Sequence, residues 1–98
     1  MPSAVLADAQ NHKASQLFKI LGDPTRLHLL YLIANETRSR LCCVDLSESL
    51  NISAPTVTHH MKKLEAVNLV FRRKHGKWTF YEVNRTEFNK INKLVNTL

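Results

Sequence analysis

The chain has 98 residues, 44% of them hydrophobic and 22% charged, and its formal net charge is +6. This length and composition predict a single globular domain, residues 1–98, with a modest core. The sequence has no run of about 18 apolar residues, so we expect no membrane span. The first residues lack the basic segment and apolar core of a signal peptide, which predicts a cytoplasmic protein.

The positive charge lies in the second half of the chain. Residues 1–52 contain five Lys or Arg and five Asp or Glu, whereas residues 53–98 contain nine and three. A basic half of this kind suggests a polyanionic partner such as nucleic acid. A solvated surface that only aids solubility has the same composition, so the motifs must decide between the two.

Two helices are predicted in the first third of the chain. The apolar stripe of the first helix has four members at helical spacing, Ala14, Leu17, Phe18 and Leu21. Gly22 ends this helix, Asp23 is a suitable N-cap for the next one, and Pro24 fits its first turn. The following run LHLLYLIA is apolar nearly all round, which predicts the buried centre of the domain.

Two short helices joined by a tight turn are predicted next. Residues 35–40 form a polar connection, Leu41 to Leu50 forms the first short helix, and residues 51–53 form the turn. Ser53 is a strong N-cap candidate for the second helix, and Pro55 in its first turn lacks only an N–H that has no partner there. Such a pair is typical of a helix-turn-helix.

The second of these helices has two different faces. Val57, Met61 and Leu64 recur at helical spacing and should face the core. The opposite face then carries Pro55, His59, Lys62 and Lys63, with Thr56 and Thr58 on the flanks. His60 lies beside the apolar stripe, so a packed, hydrogen-bonded structural histidine is at least as good an interpretation as a DNA contact.

A hairpin and a last helix complete the chain. Leu69 to Val83 contains two strand-like runs around residues 74–77, where Gly76 supplies the positive φ of a tight turn. Asn84 and Glu87 have the spacing of a capping box. The last helix has an apolar stripe of Phe88, Ile91, Val95 and Leu98. In so small a domain, a second subunit is a plausible partner for that stripe.

Three blocks of the sequence resemble the ArsR/SmtB family of metal-responsive winged-helix repressors. LFKILGDPTRLHLL resembles the family's opening helices, LCCVDLSESLNISAPTVTHHMKKLEAVNLV its sensor and recognition helices, and RRKHGKWTFYEVN its wing. The resemblance implies a mainly α fold with a β-hairpin wing, a dimeric winged helix-turn-helix in the order ααααββα. It also implies a homodimer that binds an imperfectly palindromic operator in double-stranded DNA and releases it when metal or metalloid binds.

In this setting we expect the outer face of the recognition helix and the hairpin to contact DNA. The predicted contact residues are Ser53, Thr56, Thr58, His59, Lys62 and Lys63 on the helix and Arg73, Lys74, His75 and Lys77 on the wing. The alternative for the helix is an ordinary solvated face. The alternative for the wing is a set of edge charges that prevent aggregation.

The adjacent Cys42 and Cys43 are the predicted inducer site. The family's arsenic and cadmium sensors commonly show a Cys-Val-Cys triplet, and here Cys42 matches the first cysteine while Val44 stands in the place of the second. Soft thiolates favour arsenite, antimonite, Cd(II), Pb(II) or Cu(I), with arsenite or antimonite preferred here. Adjacent residues of a regular helix diverge by about 100°, which makes chelation harder. The alternative is a pair of small buried residues without a ligand role.

Other functional classes remain open at this level. A thiol redox or persulfide sensor would use the same cysteines, and a winged-helix module for protein contact would use the same fold without DNA. The sequence contains no nucleophile–base constellation and no phosphate-binding glycine loop, so an enzyme is not expected. No cofactor beyond the inducer is expected.

Overall fold

A computed structural model describes residues 5–36, 38 and 40–98 of the chain. The elements in chain order are α1 (Asp8–Leu21), α2 (Pro24–Ala34), β1 (Arg40–Cys42), α3 (Cys43–Leu50), α4 (Ala54–Ala66), β2 (Val70–His75), β3 (Trp78–Val83) and α5 (Arg85–Asn96). Within these described residues, no helix is both long enough and apolar enough to cross a membrane. The predicted fold class, mainly helical with a β-hairpin wing, is confirmed.

The predicted N-caps begin three of the helices. The Asp23 carboxylate accepts a hydrogen bond from the backbone N–H of Arg26 at 3.0 Å. The Ser53 hydroxyl accepts one from the N–H of Thr56 at 3.3 Å. The Asn84 side chain accepts one from the N–H three residues on, at 3.4 Å. Each cap satisfies a backbone donor that has no partner within its helix.

The helix-turn-helix is formed by α3 and α4. Asn51 closes α3 in the left-handed conformation, with φ of 52°, and the N–H of Ile52 donates to the carbonyl of Ser47 at 3.1 Å. Three side chains of α4 are completely buried, as predicted, namely Val57, Met61 and Leu64. They pack in one core with three fully buried residues of α2, Leu29, Leu30 and Ile33, so α2 is the buried centre of the domain.

The wing belongs to a three-stranded antiparallel sheet in the order β1-β3-β2. The hairpin of β2 and β3 closes with a two-residue loop, because His75 pairs with Trp78. Gly76 has φ of +60°, as predicted. Strand β1 was not predicted, because residues 40–42 were divided between a polar connection and a helix start. Its pairing partner β3 lies far along the chain, and three residues are too few for a strand pattern.

The stripes of the two outer helices are only partly buried. Leu17 and Leu21 of α1 pack against the core, but Phe18 is 58% exposed and Ile20 is buried in its place. In α5, Phe88 and Ile91 are buried, whereas Leu98 lies beyond the helix end and is 95% exposed. Leu94 of α5 is 48% exposed as well. Both helices therefore leave apolar side chains on the surface.

Candidate DNA interface and thiol site

The outer face of α4 is cationic and open to solvent. Five predicted contact residues of this segment are exposed, Ser53, Thr56, His59, Lys62 and Lys63, while Thr58 is half-buried. The hydroxyls of Ser53 and Thr56 are hydrogen-bonded to each other at 2.8 Å. Because Ser53 also caps the helix, its hydroxyl already has structural partners. Histidine and lysine at the exposed positions leave a polar helix face of the width that fits a DNA major groove.

His60 has a structural environment that differs from that of its neighbour His59. It is half-buried, and its Nδ1 accepts a hydrogen bond from Nε of Arg26 at 3.4 Å. Burial is the main cause that lowers the pKa of His60, and the positive charge of Arg26 adds to it, while Asp23 opposes the shift. The Nη1 of Arg26 also donates to the carbonyl of Ile20 at 3.1 Å. Arg26 thus ties the end of α1 to the recognition helix.

The cations of the wing have partners within the hairpin. Nε of Arg73 lies 3.2 Å from Oε2 of Glu82 in an exposed ion pair. Lys77 Nζ lies 5.3 Å from the centre of the Trp78 ring, within cation–π range. His75 meets Phe80 edge to face, and Lys74 is exposed. All four predicted wing contacts lie on the surface, but they differ in how tightly the protein itself holds them.

Tyr81 connects the wing with the helix-turn-helix. It is 1% exposed, and on the sheet it pairs with Leu41 of β1 and Arg72 of β2. Burial is the main cause that raises the pKa of Tyr81, and Cys43 adds to the increase. Hydrogen bonding from Thr58 and Arg72 acts in the opposite direction. The hydroxyl therefore lies where the recognition helix and the wing meet.

The two cysteines straddle the junction between a strand and a helix. Cys42 is the last residue of β1 and the N-cap of α3, and Cys43 is the first residue of α3. Cys42 is buried, and its thiol donates to the Asp45 carboxylate at 3.2 Å. Cys43 is half-buried and packs against the core. Since the pair does not lie within a regular helix, the 100° divergence expected for helical neighbours does not apply.

Both cysteines line one open cavity of about 330 Å³. The other lining residues are Val44 and three residues from the tip of the wing, Lys77, Trp78 and Thr79. Neither cysteine is in a disulfide. Across the part of the chain that the structure describes, no group of three or more His, Cys, Asp or Glu side chains could hold a metal ion. Among the residues that line this cavity, the two cysteines are the soft donors.

Comparison with known proteins gives the family. The sequence profile of the bacterial regulatory protein, arsR family, matches residues 23–71. The chain belongs to this arsR family. It is 38% identical over 86 residues to an arsenical resistance operon repressor of Staphylococcus xylosus, an alignment that covers 85% of this chain and 80% of that one. It is 28% identical to the cadmium resistance transcriptional regulatory protein CadC of Listeria innocua, covering 91% and 73% of the two chains.

A solved structure agrees with this assignment. The homodimeric winged helix-turn-helix DNA-binding domain of a possible ArsR-family regulator from Mycobacterium bovis superposes with a TM-score of 0.79 at 20% identity, and the match covers 96% of this chain and 87% of that one. The family match and the similarity to the Staphylococcus xylosus repressor confirm the resemblance to the ArsR family found in the sequence, and this solved structure shows the same fold. This ArsR-family chain is a winged helix-turn-helix transcriptional regulator that binds DNA, and it is not an enzyme.

Several site residues of this ArsR-family regulator have no local signal in the sequence. Asp45 was recognised only as part of the motif, although it holds the Cys42 thiol. Trp78 and Thr79 fall within the strand-like runs of residues 69–83, which predict only a hairpin, yet both residues line the cavity of the two cysteines. Tyr81 falls within the same runs. No local sequence pattern predicts that these residues lie at the site, because their positions depend on which residues β1 pairs with.

Proposed function

We propose that the protein is a homodimeric repressor of a metal or metalloid resistance operon, and that inducer binding at Cys42 and Cys43 releases it from operator DNA. The observation that carries the DNA-binding part is the exposed cationic face of α4, with His59, Lys62 and Lys63 pointing away from the core. This helix reads base edges in the major groove while the wing residues Lys74, His75 and Lys77 hold the DNA backbone. Arg73 is the fourth wing contact and binds the DNA backbone when its ion pair with Glu82 opens. Ser53, Thr56 and Thr58 contribute hydroxyl contacts.

The proposed dimer is supported by the apolar side chains that α1 and α5 leave exposed. Phe18 of α1, Leu94 of α5 and Leu98 after it lie on the surface with 58%, 48% and 95% exposure. A second copy of the chain would cover such a face and place two recognition helices on one DNA duplex. Half-sites about one helical turn apart then make the operator an imperfect palindrome. The homodimeric state of the Mycobacterium bovis domain supports this assembly.

The proposed inducer is arsenite or antimonite, with Cd(II) and Pb(II) as further candidates. Two thiols on one cavity are a soft donor pair, and relatives of this chain are named for arsenical and cadmium resistance. Each thiol that binds arsenite forms an S–As bond, and its proton leaves with a hydroxide of arsenite as water. The oxidation state of arsenic does not change. The Asp45 carboxylate accepts the Cys42 S–H and can relay that proton.

The test is a DNA-binding titration with the wild type and the Cys42→Ser/Cys43→Ser variant. Fluorescence anisotropy of a labelled duplex from the promoter region of the protein's own gene reports binding, first without inducer and then with arsenite, antimonite, Cd(II), Pb(II) or peroxide. We expect arsenite to release the wild type from DNA. The DNA affinity of the variant with arsenite should equal its affinity without inducer. Equal release of both proteins by arsenite would refute the assignment of the thiols. Release by peroxide alone would identify a redox sensor. If the protein does not bind DNA even at low salt, it is a winged-helix module for protein contact.

A further inference from the structure

The thiol site and the wing share a wall. The cavity on which Cys42 and Cys43 open is bounded on its other side by Lys77, Trp78 and Thr79 at the tip of the hairpin. Lys77 lies in the two-residue loop between the strands, and Trp78 is the first residue of β3. A ligand that fills this cavity therefore contacts the wing directly.

The same two regions share a sheet. Strand β1 pairs with β3, and the register places Cys42 opposite Phe80. Side chains of opposite residues in an antiparallel pair lie on the same face of the sheet. On this face Phe80 contacts His75 at a ring separation of 5.6 Å, and the Arg40 guanidinium lies 5.0 Å from the Phe80 ring centre. The pairing of β1 with β3 thus links Cys42 to the wing without passing through α4.

We propose that the tip of the wing is part of the inducer site, with Trp78 as a wall and Lys77 as the cation that a bound inducer displaces. This proposal rests on the proposed function and adds the route by which the signal reaches DNA. The route runs through the wing, in addition to any distortion that α3 passes on to the recognition helix. When an inducer occupies the thiols, the hairpin then loses contacts with the DNA phosphate backbone.

The position of Lys77 makes the effect measurable. Its Nζ lies 5.3 Å from the centre of the Trp78 ring, so the ring holds the ammonium at the cavity. A ligand on the thiols occupies space that both side chains border, and Lys77 then leaves its position beside the DNA. Each lost phosphate contact makes the negative slope of log K against log salt concentration less steep by about 0.9. For a dimer, which loses two such contacts, the change is about 1.8.

The first experiment uses Trp78 as a reporter of binding. It is the only tryptophan in the chain, so the tryptophan emission of the protein without DNA, excited where tyrosine does not absorb, reports on this wall. We expect arsenite to produce a saturable change in the emission of the wild type and none in the Cys42→Ser/Cys43→Ser variant. A thiol assay on the same samples measures how many cysteines arsenite occupies. Full occupancy of both thiols with an unchanged emission spectrum would overturn the proposal.

The second experiment compares two lysines of the hairpin. Lys77→Gln and Lys74→Gln each remove one positive charge from the wing, but only Lys77 lines the cavity. Without inducer, the slope of log K against log salt concentration should be less steep by about 1.8 in a dimer of either variant than in the wild type. Arsenite should make the slope of the wild type and that of Lys74→Gln less steep by about 1.8, compared with the same protein without arsenite. The slope of Lys77→Gln should stay the same with and without arsenite. The Lys77→Arg variant keeps the charge and should restore the inducer-dependent fall.

The outcomes separate the two proposals. If arsenite neither occupies the thiols nor releases DNA from the wild type, the proposed function itself is wrong. If arsenite occupies the thiols and releases DNA, but the slopes of Lys77→Gln and Lys74→Gln fall equally, only the wing route is wrong.

Discussion

We expect the ion pair between Arg73 and Glu82 to limit how strongly the wing holds DNA in the proposed interface. Arg73 is one of five predicted DNA-contacting Lys or Arg residues in each protomer, together with Lys62, Lys63, Lys74 and Lys77. Its Nε lies 3.2 Å from Oε2 of Glu82, and the two side chains are 57% and 39% exposed. A pair this exposed adds at most about 1 kcal/mol to folding stability. The Glu82→Gln substitution should therefore leave the fold intact and release Arg73 for phosphate.

The size of the effect follows from counterion release. With Arg73 held by Glu82, the four lysines of each protomer should give about eight phosphate contacts in the proposed dimer and a slope of log K against log salt concentration near −7. Freeing two arginines takes the slope to about −9. Between 200 and 50 mM salt, the affinity of Glu82→Gln relative to the wild type should then rise about twelvefold.

The assay is fluorescence anisotropy of the operator duplex at four or more salt concentrations, at constant pH and without inducer. A double-mutant cycle isolates the ion pair: in the Arg73→Gln background, Glu82→Gln should lose most of its effect on the slope. If Glu82→Gln changes the slope equally in both backgrounds, the carboxylate acts through the general charge of the wing and the reasoning is refuted. A salt slope near zero for the wild type would contradict phosphate binding altogether.

Substitutions at three further positions test the fold around the site. Gly76→Ala has room for its Cβ, but the φ of +60° should lower the free energy of unfolding by about 1–2 kcal/mol, measured by thermal or urea unfolding. Gly76→Asn should lower it less, and equal stability of the wild type and both variants would contradict this. Met61→Ala empties a fully buried position of α4 and should lower the free energy of unfolding by about 2–5 kcal/mol, whereas a loss near zero would show that the core collapses around it. Because burial lowers the pKa of His60 below 6.5, the folded state binds fewer protons than the unfolded one, so the free energy of unfolding should fall as pH decreases through 6.5 towards the lowered pKa. His60→Gln should flatten this part of a urea-unfolding pH series, and an unchanged pH profile would rule out His60 as its source.

Local patterns in the sequence were sufficient for most of the fold. The helix-turn-helix could be predicted because Ser53 caps α4 through its own side chain and because Val57, Met61 and Leu64 repeat at helical spacing. The hairpin could be predicted because Gly76 marks its loop. Each of these signals involves residues within one or two helical turns or one tight turn of each other, so no knowledge of distant contacts is needed.

The candidate site depended more on tertiary structure. The exposed cations of α4 followed from periodicity, but the partners of His60 and Arg73 did not, since Arg26 and Glu82 approach them only after folding. Phe18 shows the limit of an apolar stripe: helical spacing placed it beside Leu17 and Leu21, yet it remains 58% exposed. Spacing defines a face of a helix, and packing decides how much of that face is buried.

By itself, the sequence determined the ArsR-like helix-turn-helix, its cationic face and the presence of two adjacent thiols. Only the tertiary structure decided where those thiols lie. Strand β1 is three residues long and forms because β3 offers it an edge, so the sequence around Cys42 carries no signal of its own for it. That pairing brings Cys42 and Cys43 to the tip of the wing, beside Lys77 and Trp78. A contact between segments so far apart in the chain depends on the pairing of whole strands.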